Sequence, residues 1–383
     1  MRSALAGNEV RLTLAQKLWD VNWGLVLLLV TVAGIGFVML FSVANGSIEP
    51  WAKRQMIRFA VGLGLMFAVA LVDIRVWLRY AYVIYFVGLA LLVAVEVMGF
   101  VGMGAKRWVD LGVFQLQPSE VVKIALVLAL ARYFHGLPLD QVGRFRYLLL
   151  PLALVAAPVA LVVRQPDLGT AILMAMGSGA IFLLAGVRLW KFGVALALGL
   201  GSLPLGWQFL EAYQKERILT FLNPERDPLG AGYHIMQSKI ALGSGGLFGK
   251  GFMQGTQSQL NFLPEKQTDF IFTMLAEELG LAGGLTLIGL YALILAYGYA
   301  VAMRSRNHFG RLVALGITTT FFLYVFINIA MVMGVLPVVG VPLPLISYGG
   351  TAMMTLLIGF GLLMSVSIHR DVEIPRRSGL TGP

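Results

Sequence analysis

The chain has 383 residues, of which 58% are hydrophobic and 13% charged, and its formal net charge is +10. Soluble domains carry about 25% charged residues, so this composition excludes an ordinary soluble protein and indicates an integral membrane protein. The absence of cysteine excludes disulfides, iron–sulfur clusters and thiolate metal sites. The basic residues are spread along predicted membrane loops, which favours membrane topology and anionic headgroups as their role over nucleic acid.

Apolar segments long enough to cross a bilayer, about 20 residues each, recur along the whole chain. They predict a single all-α, polytopic membrane domain over 1–383, with about ten transmembrane helices and no separate soluble module. The first segment is too long for a signal peptide and is expected to be retained. The predicted spans are, in chain order, about 21–44, 56–72, 77–98, 118–134, 147–163, 168–186, 192–210, 269–303, 312–335 and 347–367.

The segments outside these spans predict the topology. A basic lead (1–20) precedes the first seven helices (21–210), one long polar loop (211–268) separates them from the last three (269–367), and a basic tail follows (368–383). An even number of spans places both termini on one side. Most lysines and arginines of the short loops lie on that side, so the positive-inside rule makes the termini cytoplasmic and the long loop extracytoplasmic.

Asp269 is the strongest candidate for a catalytic residue, because it lies where the polar loop gives way to an apolar helix. A carboxylate at such a border is costly and needs a reason. Stabilisation by the helix dipole, typically 0.3–1 kcal/mol, is the ordinary alternative. Glu277 and Glu278 follow in the same helix, either as partners of the site or as markers of the membrane interface.

A second group of candidates begins the fourth span. Pro118 and Glu120 are ordinary residues for a helix start, and Glu120 can pair with Lys123 at the i, i+3 spacing. A buried structural ion pair and a role in the site are both open for these two residues.

Several cations fall on the predicted outer side, against the positive-inside trend. Such side chains require an anionic partner, and a phosphate-bearing lipid headgroup would suit them, although salt bridges between loops would also explain some. These residues are Lys106, Arg107, Arg164 and Arg226.

Two irregular segments complete the pattern. Three prolines between Pro337 and Pro344 forbid regular helix before the last span, and non-helical backbone at membrane depth is tolerated where it is buried or lines a cavity. The glycine-rich run from Gly243 to Gly251 lacks the ending of a phosphate-binding loop, so it is interpreted as turn material only.

Several motifs together resemble the SEDS family (shape, elongation, division and sporulation), and the match extends from the first span to the last. The turn after Pro337 and the short lead resemble the elongation branch of that family more than its division branch. The matching motifs are Lys106-Arg107-Trp108, Gln117-Pro118-Ser119-Glu120, Gln165-Pro166-Asp167-Leu168-Gly169-Thr170, Leu263-Pro264-Glu265, Thr268-Asp269-Phe270-Ile271-Phe272, Glu277-Glu278-Leu279-Gly280 and Leu345-Ile346-Ser347-Tyr348-Gly349-Gly350.

The resemblance implies a peptidoglycan glycosyltransferase that polymerises lipid II at the outer face of the cytoplasmic (inner) membrane during cell elongation and rod-shape maintenance. The family's catalytic aspartate corresponds to Asp269, its helix-4 acid and base to Glu120 and Lys123, and its loop tryptophan to Trp108. Members pair with a class B penicillin-binding protein, a transpeptidase, and associate with the elongation proteins MreC and MreD.

The implied reaction converts an α-linked lipid pyrophosphate into a β-1,4 glycan, and a single inversion indicates one displacement without a covalent intermediate. Asp269 would then be the general base, and cationic side chains would stabilise the departing pyrophosphate. A divalent cation, Mg²⁺ or Mn²⁺, could share that second role, and the sequence assigns no metal ligands. Two alternatives remain: a lipid II flippase, and a non-catalytic scaffold for the transpeptidase.

Overall fold

A computed structural model describes residues 13–98, 100–102, 105–110, 115–209, 212–223, 231–256 and 265–375. Within these ranges the chain is mostly helical, with three short strands. The helices are α1 (Leu14–Trp19), α2 (Trp23–Val43), α3 (Trp51–Leu71), α4 (Ile74–Met98), α5 (Pro118–His135), α6 (Phe145–Arg164), α7 (Leu168–Leu184), α8 (Leu189–Phe209), α9 (Ala212–Leu222), α10 (Ala231–Ser244), α11 (Ile271–Arg304), α12 (His308–Val332) and α13 (Gly350–Ile368). The strands are β1 (Phe100–Gly102), β2 (Ala105–Asp110) and β3 (Gln115–Leu116), antiparallel in that order.

Seven of the described helices are long and apolar enough to cross a membrane, namely α2, α3, α4, α6, α11, α12 and α13. Helix α7 and the first part of α8 are shorter apolar helices. The prediction of a helical, multi-pass membrane protein is therefore confirmed. Each predicted span coincides with a helix, whereas the number of helices that actually cross the bilayer stays a prediction.

The largest shift in a boundary is at α3, which begins at Trp51 rather than near residue 56. Hydropathy marks only the apolar part of a span, and α3 extends through the polar residues Lys53, Arg54 and Gln55 before that part begins. The long polar segment also contains α9 and α10. These two helices were not predicted, because the segment has no apolar stretch long enough to span a membrane. The hairpin of β1 and β2 was likewise not predicted, because strands of three to six residues carry little periodic signal.

Hydrogen bonds between segments far apart in sequence define two ends of the helix bundle. At one end, Lys17 donates to the carbonyl of Leu71 (2.7 Å) and Ser365 to that of Val72 (2.7 Å). At the other end, the side chain of Gln55 donates to the carbonyl of Ser347 (2.8 Å), just before α13. The described parts of both terminal segments therefore lie at the same end, opposite the start of α13.

The core lies where α5, α12 and α13 pack together. Helix α5 is buried over almost its whole length, and α12 and α13 are buried along most of theirs. By contrast, residues 193–202 of α8 are exposed without interruption. An apolar helix that is exposed on every face is stable only against lipid or another protein, which fits a membrane-embedded bundle with α8 at its periphery.

Candidate active site

Asp269 lies in a turn formed by residues 265–270, directly before Phe270, the N-cap of α11. Its side chain is half-buried. A Cβ atom built on Gly340 would lie 3.5 Å from Asp269 Oδ2, and Gly340 has a φ of +73°, so this glycine lets the proline turn between α12 and α13 approach the carboxylate closely. The carboxylate is therefore next to irregular backbone at the end of the bundle where α13 begins.

The backbone around Asp269 is held by two side chains from the bundle. The Asn328 amide of α12 donates to the Asp269 carbonyl (3.0 Å) and to the Val341 carbonyl (2.6 Å). The Ser347 hydroxyl donates to the Thr268 carbonyl (2.5 Å). Each such bond contributes about 0.5–1.5 kcal/mol, and a buried carbonyl left without its donor would cost about 1–3 kcal/mol. These bonds fix the path of the chain into and out of Asp269.

A further layer supports Ser347. The buried amide of Gln55 in α3 donates to the Ser347 carbonyl (2.8 Å) and accepts from the Gly349 amide (3.4 Å). The Tyr348 amide donates to the Gln267 carbonyl (2.8 Å). Helix α3, the segment before α13 and the Asp269 turn are thus linked by a continuous chain of hydrogen bonds.

The predicted pair of Glu120 and Lys123 is present and has a third member, Tyr324 of α12. Lys123 Nζ donates to Glu120 Oε1 (2.7 Å), the Tyr324 hydroxyl donates to Glu120 Oε2 (2.8 Å), and Lys123 also contacts the Tyr324 hydroxyl. All three residues are at most 5% exposed. Lys123 also borders a small cavity with Ser178 and Thr320. The cluster is therefore a buried, charge-balanced contact between α5 and α12.

The motif beginning at Gln165 links the start of α5 to the proline turn. Asp167 caps α7 by accepting from the Thr170 amide (3.2 Å) and hydroxyl (3.0 Å), and it also accepts from Gln117 at the start of α5 (3.2 Å). A Cβ atom on Gly169 would overlap the Val339 carbonyl oxygen at 2.5 Å, so the absence of a side chain lets the start of α7 pack directly against the proline turn. That turn is the one that approaches Asp269.

The other residues predicted to bind substrate are not gathered at one place by the contacts of the described residues. Arg107 donates to the backbone carbonyls of Gln165 (3.1 Å) and Pro166, so its guanidinium supports the loop before α7. Arg164 is largely exposed, and its Nη1 atom lies 4.0 Å from Glu96 Oε1. Trp108 is half-buried in β2. The side chain of Lys106 and the whole of Arg226 lie outside the described residues.

Residue-by-residue reasoning missed four side chains near the site. Asn328 and Tyr324 are polar groups within a predicted span, which is the signal that could have identified them. The Arg58 guanidinium lies 5.0 Å from the centre of the Tyr348 ring, beside the chain of hydrogen bonds described above. Lys266 is buried next to Glu265, and burial lowers the pKa of its ammonium group.

Among the described residues, no group of three or more histidine, aspartate or glutamate side chains could hold a metal ion. Glu277 and Glu278 lie fully buried in α11, and their carboxylates bind the segment 250–256 and Ser42. They therefore anchor a loop rather than mark the membrane interface.

Known proteins are similar in sequence to this chain over most of its length. A family model described as the cell cycle protein family FtsW/RodA/SpoVE matches residues 22–372. Peptidoglycan glycosyltransferase MrdB of Escherichia coli is 50% identical over 282 residues, which are 72% of this chain and 75% of that protein. Peptidoglycan glycosyltransferase RodA of Treponema pallidum is 33% identical over 341 residues, which cover 70% of this chain and 78% of that protein.

Solved structures agree with this result. One, described as showing structural coordination of polymerization and crosslinking by a peptidoglycan synthase complex, has a TM-score of 0.82 at 34% identity and covers 92% of this chain and 99% of that chain. An aspartate-to-alanine mutant of the rod shape determining protein RodA from Thermus thermophilus has a TM-score of 0.71 at 30% identity, with coverage of 92% and 99%. The chain therefore belongs to the FtsW/RodA/SpoVE family, the family predicted from its motifs, and it is a multi-pass membrane glycosyltransferase.

Proposed function

We propose that this protein polymerises lipid II into β-1,4-linked glycan at the outer face of the cytoplasmic membrane, during cell elongation and rod-shape maintenance. The observation that carries the proposal is the geometry of Asp269: a half-buried carboxylate whose backbone is held by Asn328 and Ser347 at one end of the bundle. Relatives named MrdB and RodA support the elongation role.

In the proposed reaction, Asp269 is the general base of a single inverting displacement. Its carboxylate takes the proton from the acceptor 4-hydroxyl as that oxygen bonds to the anomeric carbon of the donor. The bond between that carbon and the lipid pyrophosphate breaks, and the electron pair leaves with the pyrophosphate. General-base catalysis typically contributes 10²–10⁴-fold.

The leaving pyrophosphate requires positive charge. Of the binding residues predicted from the sequence, Lys123 is already balanced by Glu120, and Arg107 donates to backbone carbonyls. We therefore assign the phosphates first to Arg164 and to Arg58, and keep Lys106 and Arg226 as further candidates. Glu120 and Lys123 act in the proposed site by holding α5 against α12, and Trp108 of β2 is kept as a further candidate for binding the substrate.

Among the residues that the structure describes, no group of histidine, aspartate and glutamate side chains could hold a metal ion, and the steps proposed above are carried by side chains. A Mg²⁺ or Mn²⁺ ion bound by the substrate pyrophosphate would stabilise the leaving group. Polymerisation that survives EDTA would assign this role to the cationic side chains alone. Loss in EDTA that either ion reverses would assign part of it to a metal.

The proposed partners are a class B penicillin-binding protein, which cross-links the product, and the elongation proteins MreC and MreD. Both termini are placed in the cytoplasm by the positive-inside rule, which puts Asp269 at the outer face because it lies at the opposite end of the bundle. Lipid II is available to a polymerase on that face.

The test compares wild type with Asp269→Asn, each purified with the cognate class B transpeptidase and given labelled lipid II. We expect glycan ladders from wild type and a loss of at least about 10²-fold in the variant. Equal melting temperatures of the two proteins would show that the variant is folded. Ladders of equal yield would refute the role of Asp269. Absence of ladders from both, together with headgroup transfer across liposomes, would instead support the flippase.

A further inference from the structure

Helix α11 is interrupted at Gly280, eleven residues after Asp269. Gly280 has φ +68° and ψ −166°, a conformation that breaks the helix and that glycine adopts without steric cost. The segment before the break, 271–279, is buried except at Leu279, whereas the segment after it alternates between buried and exposed residues. The first segment is thus a short buried helix that is disconnected from the longer apolar helix.

A loop of residues 245–251, here called the glycine loop, bonds the backbone groups that the break leaves unpaired. Two of its amides donate to α11 and two of its carbonyls accept from α11. The four bonds are Lys250 N to Glu277 O (3.0 Å), Gly251 N to Glu278 O (3.1 Å), Leu281 N to Gly246 O (2.9 Å) and Ala282 N to Leu247 O (3.0 Å). The glycine loop therefore bridges both sides of the break.

This contact is so close that it requires glycine at specific positions. A Cβ atom on Gly245 would overlap the Ala276 carbonyl, and one on Gly249 would overlap the Glu278 carbonyl. Gly243, two residues before Gly245, has no atom near its Cβ position. Gly245 and Gly249, which the sequence analysis interpreted with the rest of the run as turn material only, are instead fitted against the backbone of α11.

The two buried acids of the first segment bind Lys250 of the glycine loop, the residues that follow this loop, and α2. Glu277 Oε1 accepts from Lys250 Nζ (2.7 Å) and from the Thr256 hydroxyl (3.0 Å). Glu278 accepts from the Met253 amide (3.2 Å) and from Ser42 of α2 (2.5 Å). The carboxylates are fully buried, whereas the side chain of Lys250 is 28% exposed.

We propose that Lys250 and Glu277, together with the glycine loop, are positioning elements that set the location of the Asp269 carboxylate; this inference rests on the proposed function. Segment 271–279 begins two residues after Asp269, and the break at Gly280 leaves its far end without the hydrogen-bond ladder of the longer helix. The glycine loop and the ion pair provide the missing constraint. A displacement of about 1 Å in a catalytic group can cost 10²-fold in rate.

The first experiment separates positioning from folding by restoring charge balance. Lys250→Met removes the ammonium group that the buried Glu277 carboxylate binds, whereas the double variant Lys250→Met with Glu277→Gln removes both charges of the pair. We expect Lys250→Met to lower kcat about 10- to 100-fold with KM within about twofold of wild type, and the double variant to recover thermal stability without recovering kcat, because the Lys250–Glu277 ion pair is absent from both. A kcat that falls only in proportion to the folded fraction would overturn the proposal.

The second experiment compares two glycines, Gly245 and Gly243, and does not depend on activity. Gly245→Ala is expected to increase amide hydrogen exchange across residues 265–279 in detergent micelles, whereas Gly243→Ala is expected to leave it unchanged. Lys250→Met should increase exchange in the same peptide. If wild type forms no glycan, the proposed function fails while the exchange result still decides whether the glycine loop restrains this segment. Unchanged exchange in both Gly245→Ala and Lys250→Met would refute the inference.

Discussion

Asn328 donates its side-chain amide to the backbone carbonyl of Asp269 at 3.0 Å, and the same nitrogen donates to the Val341 carbonyl at 2.6 Å. Because Asn328 is fully buried in α12, this one side chain ties two irregular segments to a helix of the core. The turn that carries the proposed base and the proline turn that approaches it are thereby fixed relative to each other.

Asn328→Ala should therefore reduce polymerisation without removing any group that contacts substrate in the proposed reaction. Two carbonyls lose their donor, at about 1–3 kcal/mol for each one left buried and unsatisfied. We expect kcat to fall at least about 10-fold, because the Asp269 backbone is released. The measurement is polymerisation of labelled lipid II, normalised to folded protein by thermal melting.

The control for this variant is Thr318→Val on the same helix, whose hydroxyl donates only to the Ala314 carbonyl one turn earlier (2.7 Å). It should retain wild-type activity. Equal activity in Asn328→Ala and wild type would show that the Asp269 turn keeps its position without this bond.

The buried cluster of Glu120, Lys123 and Tyr324 gives a second prediction. Removing one member of a buried ion pair typically costs 3–5 kcal/mol, whereas replacing both members is often neutral. Lys123→Met should lower the melting temperature strongly, and Lys123→Met combined with Glu120→Gln should recover most of that loss. If the cluster serves only to hold α5 against α12, activity recovers together with stability. Recovery of stability without recovery of activity would show a direct role in the reaction.

The sequence predicted the helices well because the bilayer imposes a length and a composition on every span. It also predicted the pairing of Glu120 with Lys123, since residues three apart on a helix are neighbours. Such relationships are local, and local patterns are visible in a single chain.

The remaining parts of the site depend on contacts between segments that are distant in sequence. Asn328 is 59 positions from Asp269, and Gln55 is 292 positions from Ser347; no periodicity records either pairing. The break at Gly280 was also invisible, because one glycine in an apolar helix is usually a packing residue. Only the fold shows that the glycine loop occupies that break.

Arg58 is the cation that the structure adds to the candidate site. Its guanidinium lies 5.0 Å from the Tyr348 ring centre, and the Tyr348 amide bonds to the Asp269 turn through Gln267. A charge-assisted hydrogen bond to a phosphate contributes about 1.5–3 kcal/mol, so Arg58→Gln should lower kcat/KM roughly 10- to 100-fold. Arg54→Gln, one turn earlier on α3 and exposed, is the matched control. Equal effects of the two substitutions would indicate a general effect of surface charge.

His369 gives a prediction about pH at the opposite end of the bundle. Burial lowers the pKa of this imidazole, against smaller raising effects of its bond with Ser365 and of Asp73. Protonation therefore favours the unfolded state, which binds more protons between the lowered folded-state pKa and the ordinary value near 6.5. Stability should rise with pH through that window and be lost as pH falls through it.

The measurement is the melting temperature of wild type and His369→Gln in detergent between pH 5 and 8. One titrating group changes the free energy of unfolding by at most about 1.4 kcal/mol per pH unit, so a modest difference in slope is expected. His369→Gln should show the flatter profile below pH 6.5, and the two slopes should agree above pH 7.5. Parallel profiles throughout the range would mean that the acid sensitivity arises from other groups, because the variant removes only this imidazole.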